Sequence, residues 1–502
     1  MCTVINLVYY SMETALFVLM IFSCSYLYLL SFRSRLTMPI IDLDKKRYFE
    51  IQNLNPDTNG KYLAVNDKYQ KDRAENNNGS NNNTYSLISS YHYYNDIDHA
   101  SNNNNNNTAT TTASSNASKE ELPFVSIIVP ARNEGDCIER CLLSLLRQDY
   151  PNFEIIAVDD NSSDNTLAIM EDIKNKNNRK VIGLPIEKLK ILSLKYKPDK
   201  WTGKTWASQR GYLQSRGTIL LFADADTNYV SRHLIQKAVY YMQKENLDVL
   251  TGIPSSEKLN RFWSKIIIPA WDFVNILFKV GSADVNDSKS KVAYLMGSFF
   301  LIKRETFVNI GTFESVRDAI QEDKALGVLI KKGGYNMKLV ALKEMAYTPC
   351  SEEVKAFWHG IGRTLAPLIV KNKFKVILNL LVIFFACTLP FVLIFIVTTH
   401  SIISEKLIFI SDSRVPFHFY YYPYLMLLSL IPCIMVFIGC SAKCKEYSIT
   451  PLCSLGIPFA SMFVIAACVY NVVPLMISGK TRPIVWQDRQ YIYSKEQAGF
   501  HI

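Results

Sequence analysis

Beyond Lys375 the chain runs through three apolar segments, 376–399, 421–440 and 452–477, with almost no charged residue inside them. Each approaches or exceeds the roughly 20 residues that a helix needs to cross the ~30 Å hydrocarbon core of a bilayer, so transmembrane helices are expected there. Pro390, Pro432, Pro458 and Pro474 fall within these runs, which helices in lipid tolerate because neighbours satisfy the freed carbonyls. A fourth run, 4–30, carries Glu13 as its only charge and is followed by Arg33, Arg35, Lys45, Lys46 and Arg47. It reads as an N-terminal anchor with the next segment in the cytoplasm. A cleaved signal peptide is the alternative; its apolar part would be shorter, its cations would come first, and a small-residue cleavage site would follow. Lys443 and Lys445 place the loop after the middle run in the cytoplasm as well. The expectation is a multi-pass protein of the cell membrane with a cytoplasmic central domain. A composition of 49% hydrophobic and only 20% charged residues, against a soluble norm of about 25% charged, argues against a purely soluble or purely disordered chain.

The net charge of +10 fits nucleic acid, anionic headgroups or a phosphorylated substrate. The cysteines are scattered with no CxxC pair, and read as small apolar packers without a disulfide or zinc framework. From 53 to 119 the sequence turns to Asn, Ser, Thr and Asp, with Asn102 to Asn107 unbroken, and is expected to be a disordered linker. Sequons such as Asn78-Gly79-Ser80 would go unused in the cytoplasm.

Between 123 and 355 short β-branched runs alternate with helical stretches, the pattern of a parallel, doubly wound sheet covered by helices. Strands are expected at Val125 to Val129, Glu154 to Val158, Leu189 to Leu192 and Thr218 to Phe222. Ligands of such sheets bind beyond the carboxyl ends of the strands, so the residues that follow each strand are the informative ones. They are Pro130-Ala131-Arg132-Asn133-Glu134, Asp159-Asp160-Asn161-Ser162-Ser163-Asp164, Trp201-Thr202-Gly203-Lys204-Thr205 and Asp224-Ala225-Asp226. One acidic pair could simply cap a helix; two in one sheet weaken that reading. An extended Asp224-x-Asp226 would turn both carboxylates to one side, where they could hold a hard cation that bridges two phosphates.

In this order, P-x-R-N-E, V-D-D-x-S-x-D, G-K and D-A-D resemble a family 2 glycosyltransferase of GT-A fold, across the whole α/β domain. The resemblance implies an α/β GT-A domain followed by transmembrane α-helices, a nucleotide-diphosphate sugar donor, and a divalent cation, Mg2+ or Mn2+. Pro130, Arg132, Glu134, Asp159, Asp160, Lys204 and Asp224 would bind the nucleotide sugar, Asp159 and Asp160 through base and ribose, and Asp226 would bind the metal. In Gln321-Glu322-Asp323, Asp323 would be the catalytic base; the alternative is that Glu322 and Asp323 only favour a helix N-terminus. The usual Q-x-x-R-W element has no literal match. The segment 356–372, expected at the interface, holds Trp358 and Arg363 in its place, and these with Glu322 would face leaving group or acceptor.

Lys200-Trp201-Thr202-Gly203-Lys204-Thr205-Trp206-Ala207 and the basic tail, 479–502, are similar to hopene-associated and carotenoid-type glycosyltransferases, and more distantly to ceramide glucosyltransferases. Those relatives imply a lipid-like acceptor, a membrane setting and no nucleic acid. An aromatic stretch from Phe262 to Phe278, too short to span, suits either the headgroup interface or a buried helix. The implied activity is inverting hexosyl transfer to a lipid-like acceptor, with polyprenyl-phosphate sugar synthesis or polysaccharide building as alternatives. A membrane NTPase would need Gly where Pro198 stands, and a receptor or transporter would need ionisable residues within the spans. Four crossings put the tail outside, yet Lys480, Arg482 and Arg489 favour the cytoplasm. A re-entrant or interfacial 452–477 run would reconcile the two.

Overall fold

The computed structural model describes residues 18–27, 29–30, 122–175, 182–275, 277, 283–350, 352–411, 418–479, 484–486 and 489–491. The expected linker and most of the expected N-terminal anchor lie outside the described residues.

Seven strands form the central sheet: β1 (Val125–Ala131), β2 (Phe153–Asp159), β3 (Leu189–Ser193), β4 (Ile219–Ala223), β5 (Val249–Ser256), β6 (Phe299–Lys303) and β7 (Met337–Thr348). Their order is β3-β2-β1-β4-β6-β5-β7. The β1 and β2 sequences are near-continuous apolar runs because both faces are covered; β2 is buried along its whole length. The first four strands pair in parallel, as expected. A wholly parallel sheet is corrected by β6, which runs antiparallel to both β4 and β5. The cause is the path between them. After β5 the chain leaves the sheet for the helix Phe262–Asn275 and returns with Phe299 opposite Ala223, the last residue of β4. It therefore re-enters at the carboxyl end of β4, and this places Gly297 and Ser298 beside that end.

The core on one side of the sheet is a cluster of aromatic rings. Phe222 stacks on Phe300 at 4.9 Å and meets Phe307 and Phe313 at 5.3 and 5.0 Å, packing that adds to plain burial. The helix Gly203–Leu213 lies close against β1 and β2, because Gly211 has no side chain: a Cβ there would stand 2.6 Å from Ile128 and 3.1 Å from Val158.

Beyond the sheet, five helices form an apolar bundle: Val354–Lys371, Lys373–Ile383, Leu389–Ser411, His418–Glu446 and Ile457–Ser478. The π-helical turn Phe384–Thr388 joins the second and third just before Pro390, whose missing N–H cannot serve the regular ladder. Two stretches of the described residues, Lys373–Ile396 and Pro451–Asn471, are long and apolar enough to cross a membrane. The helix Val18–Leu27 joins the bundle through buried Cys24 and Leu27. The helix Phe262–Asn275 belongs to it too: Ala270, Trp271, Phe273 and Val274 are buried in the bundle core, so of its two readings the structure selects the buried helix, with Phe262 exposed at its start. The expected interfacial segment 356–372 coincides with the helix Val354–Lys371.

Since Gly211 sets the distance between the helix and the sheet, Gly211→Val should cost about 1 to 3 kcal/mol by overpacking. Thermal unfolding of the detergent-solubilised protein, read by circular dichroism, checks this; an unchanged midpoint would mean that the helix is not held by that contact.

Candidate functional site

A cavity of about 150 Å³ opens at the carboxyl ends of β1, β2 and β4, lined among others by Arg132, Glu134, Asp160, Lys204, Asp224 and Asp226. Two loops build its first wall. Asn133 and Asn161 both take left-handed backbone, with φ of 52° and 55°, a conformation asparagine accepts more readily than most residues. The loops are tied together: Ser163 N–H donates to the Asn133 side chain at 2.8 Å, and Arg132 donates to the Asp160 and Asn161 carbonyls at 2.7 and 2.6 Å. Arg132 thus sets the shape of the Asp160 turn.

Asp159 and Asp160 part company here. Asp159 is buried and accepts the Ser162 N–H at 3.2 Å, closing its own turn, and it does not line the cavity. Asp160 does. The strand β4 ends at Ala223, so Asp224 to Asp226 form a turn, closed by Thr227 N–H on the Asp224 carbonyl at 3.3 Å. The extended Asp224-x-Asp226 expected from sequence is therefore replaced by a turn, yet both carboxylates still line the cavity.

Thr202 caps the helix Gly203–Leu213, accepting the Thr205 N–H, and Gly203 and Lys204 bring its N-terminus to the cavity. Exposed N–H groups and the helix dipole favour an anion there. Lys204 Nζ bonds Asp224 at 2.6 Å and Glu322 at 3.2 Å. Burial alone would lower its pKa, but Asp224, Glu322 and Asp323 outweigh burial and hold it above the ordinary lysine value. Glu322 is thereby committed to Lys204. Asp323, in the first turn of the helix Glu322–Lys332, accepts the Lys324 N–H at 2.7 Å. Burial first, and the Glu322 charge second, push its carboxyl up to about 7. Asp323 lies outside the cavity lining but close by: a Cβ on Gly297 would stand 2.7 Å from Lys204 Nζ, 3.5 Å from Asp224 and 3.7 Å from Asp323. Gly297 carries little signal in the sequence, where it is only a glycine two residues before the apolar run Phe299 to Ile302.

Asp226 has a carboxyl raised to about 6 by burial and by Asp224. Two such hard-oxygen groups suit a divalent cation, which would relieve their repulsion. Among the described residues no group of three or more His, Cys, Asp or Glu forms a ready cage, so a cation here would complete its shell with phosphate oxygens or water. Trp358 is not brought to the cavity. Its ring packs on Phe463 at 5.0 Å and Tyr470 at 5.7 Å within the bundle. The Arg363 side chain lies outside the described residues. One lining residue comes from the far end of the chain, Arg489.

Residues 126–311 match the sequence profile of the glycosyl transferase family 2. A probable glycosyltransferase of Bacillus subtilis, YdaM, is 28% identical over 230 residues, 44% of this chain and 49% of that one. The poly-beta-1,6-N-acetyl-D-glucosamine synthase of Staphylococcus aureus is 25% identical over 244 residues, 48% and 53% of the two chains. The matched stretch spans about half the length of these curated relatives. Among solved structures, a mannosyltransferase of Pyrobaculum calidifontis in complex with GDP-Man and Mn2+ is 18% identical, covers 70% of this chain and 88% of its own, and has a TM-score of 0.38.

Removing Lys204 leaves three carboxyl groups without their cation. The Asp323 and Asp226 carboxyls, already raised to about 7 and about 6, then lose the charge that draws them down and rise further above the unfolded range near 4, so stability is retained at low pH and lost as pH rises through the raised values. Lys204→Met is expected to cost about 3 kcal/mol at pH 8 and clearly less at pH 5. Unfolding midpoints of variant and parent at the two pH values measure this, and a pH-independent difference would count against the charge cluster.

Proposed function

We propose, from a chain whose residues 126–311 form a family 2 glycosyltransferase domain, that the protein moves a hexose from a nucleotide-diphosphate sugar to a lipid-like acceptor at a membrane. One displacement inverts the anomeric centre. The observation that carries the reading is Lys204, a lining residue of the cavity, held among Asp224, Glu322 and Asp323. Such a cluster offers a fixed cation for a diphosphate and, beside it, a carboxyl whose pKa suits a base near neutral pH.

The donor's diphosphate rests on the N-terminus of the helix Gly203–Leu213 and on Lys204, and its nucleoside lies toward Arg132 and Asp160. Asp323 takes the proton of the acceptor hydroxyl as that oxygen bonds to the anomeric carbon. The bond from that carbon to the diphosphate oxygen breaks, and the nucleoside diphosphate leaves with the electron pair. A divalent cation at Asp224 and Asp226, when bound, neutralises charge on the leaving group. A lipid-like acceptor is favoured because the helix that follows β5, Phe262–Asn275, is buried in the apolar bundle. A polysaccharide-building reaction is the second reading, favoured by the relative named as a poly-beta-1,6-N-acetyl-D-glucosamine synthase.

Membranes carrying the protein, incubated with a panel of radiolabelled nucleotide sugars, should place label in the lipid extract; label confined to insoluble polymer would favour the second reading. Asp323→Asn should lower kcat by ~10² to 10⁴ with little change in donor KM. The carboxyl must be ionised to act, so kcat/KM should fall as pH drops below about 7.

The tail and the catalytic domain are proposed to share the cytoplasmic side, supported by Arg489 reaching Asp160. An even number of crossings then separates them. Trp358 meets Phe463 and Tyr470, and a Cβ on Gly362 would meet Asn471 at 2.4 Å. The helices Val354–Lys371 and Ile457–Ser478 therefore run side by side in one direction. In this reading the last helix lies with its neighbour along the membrane face, while the two before it cross. A cysteine introduced at Ser494 should label only after cells are permeabilised; labelling in intact cells would discard this topology.

A further inference from the structure

Beyond the last bundle helix, two short strands, β8 (Ile484–Trp486) and β9 (Arg489–Tyr491), pair antiparallel with Trp486 opposite Arg489. Arg489 thus stands at the tip of a hairpin. Its guanidinium bonds the Asp160 carboxylate across 329 positions of sequence and lines the same cavity as Lys204, Asp224 and Asp226. Both partners are withdrawn from solvent, with 19% of the Arg489 side chain and 4% of the Asp160 side chain exposed. The arginine enters through a notch that only glycine leaves open. A Cβ on Gly203 would stand 2.0 Å from Arg489 Nη1 and 2.6 Å from Asp160 Oδ2.

Resting on the donor-site reading above, we infer that Arg489 is a positioning residue of the nucleotide pocket, delivered by the C-terminal hairpin to hold the Asp160 carboxylate in place. A surface ion pair would be worth little; this one is enclosed, and losing one partner strands the other. Burial pushes the Asp160 carboxyl upward, and the Arg489 hydrogen bond and charge oppose that. Without the arginine, Asp160 either protonates or turns, and in both cases the nucleoside loses a fixed acceptor.

The test uses the full-length protein in detergent, UDP and GDP as probes of binding, and donor kinetics. Arg489→Gln should weaken nucleoside diphosphate binding roughly 10- to 100-fold, the span of a hydrogen bond to a charged group, raising donor KM while kcat changes less than about threefold. Arg489→Lys, which keeps the charge, should recover most of that loss. Gly203→Ala, a change that in a helix ordinarily stabilises, should reproduce the Arg489→Gln effect, and the two together should not add. Should the parent bind UDP or GDP and Arg489→Gln bind it equally well, the positioning role is overturned and the donor-site reading stands. Additive losses for Arg489→Gln and Asp160→Asn, or a fall in kcat with KM unchanged, would also overturn it. A parent protein that binds neither diphosphate removes the donor-site reading, and the role of Arg489 with it.

Discussion

A lysine ammonium enclosed by three carboxyl groups is the constraint from which most of this molecule's arrangement follows. Lys204 sits on the first turn of one helix, Asp224 on the turn after β4, and Glu322 and Asp323 on the first turn of another helix. Taking a single one of these charges out of water costs several kcal/mol, and the cost is offset only when all of them are brought together. The sheet and both helices must therefore be in register before the cluster is favourable. The same enclosure that makes the cluster demanding also raises Asp323 into the range where a carboxylate accepts a proton at neutral pH.

Close approach is the second condition. Gly211 lets its helix lie on β1 and β2, Gly297 leaves space among Lys204, Asp224 and Asp323, and Gly203 leaves the notch for Arg489. None of the three is in left-handed backbone; each is required by what stands beside it. The bundle serves the same end at larger scale. It takes in the helix Phe262–Asn275 from the middle of the domain and returns the chain antiparallel into the sheet at the site.

Much of the site was legible because the carboxyl ends of strands can be located from apolar runs followed by polar residues. Pro130, Arg132, Glu134, Asp160, Lys204, Asp224 and Asp226 line the cavity, all read from such positions. Asp159 was also read from one, but adjacent side chains on a strand end point in different directions, and that carboxylate was taken by the backbone of its own turn. Trp358 holds the place that the family order gives to an acceptor contact, and the helix that carries it turns its ring into the bundle instead.

By itself the sequence determined the elements whose signals are local. These are the apolar runs of the bundle, the four parallel strands, and the acidic and basic residues that follow them, since periodicity and turn chemistry act over a few residues. Only the tertiary structure decided the antiparallel β6, the pairing of Glu322 with Lys204, and the arrival of Arg489 at Asp160. Those contacts join residues far apart in the chain. Their free energy comes from burial and charge neutralisation in the folded molecule, quantities that no stretch of sequence carries alone.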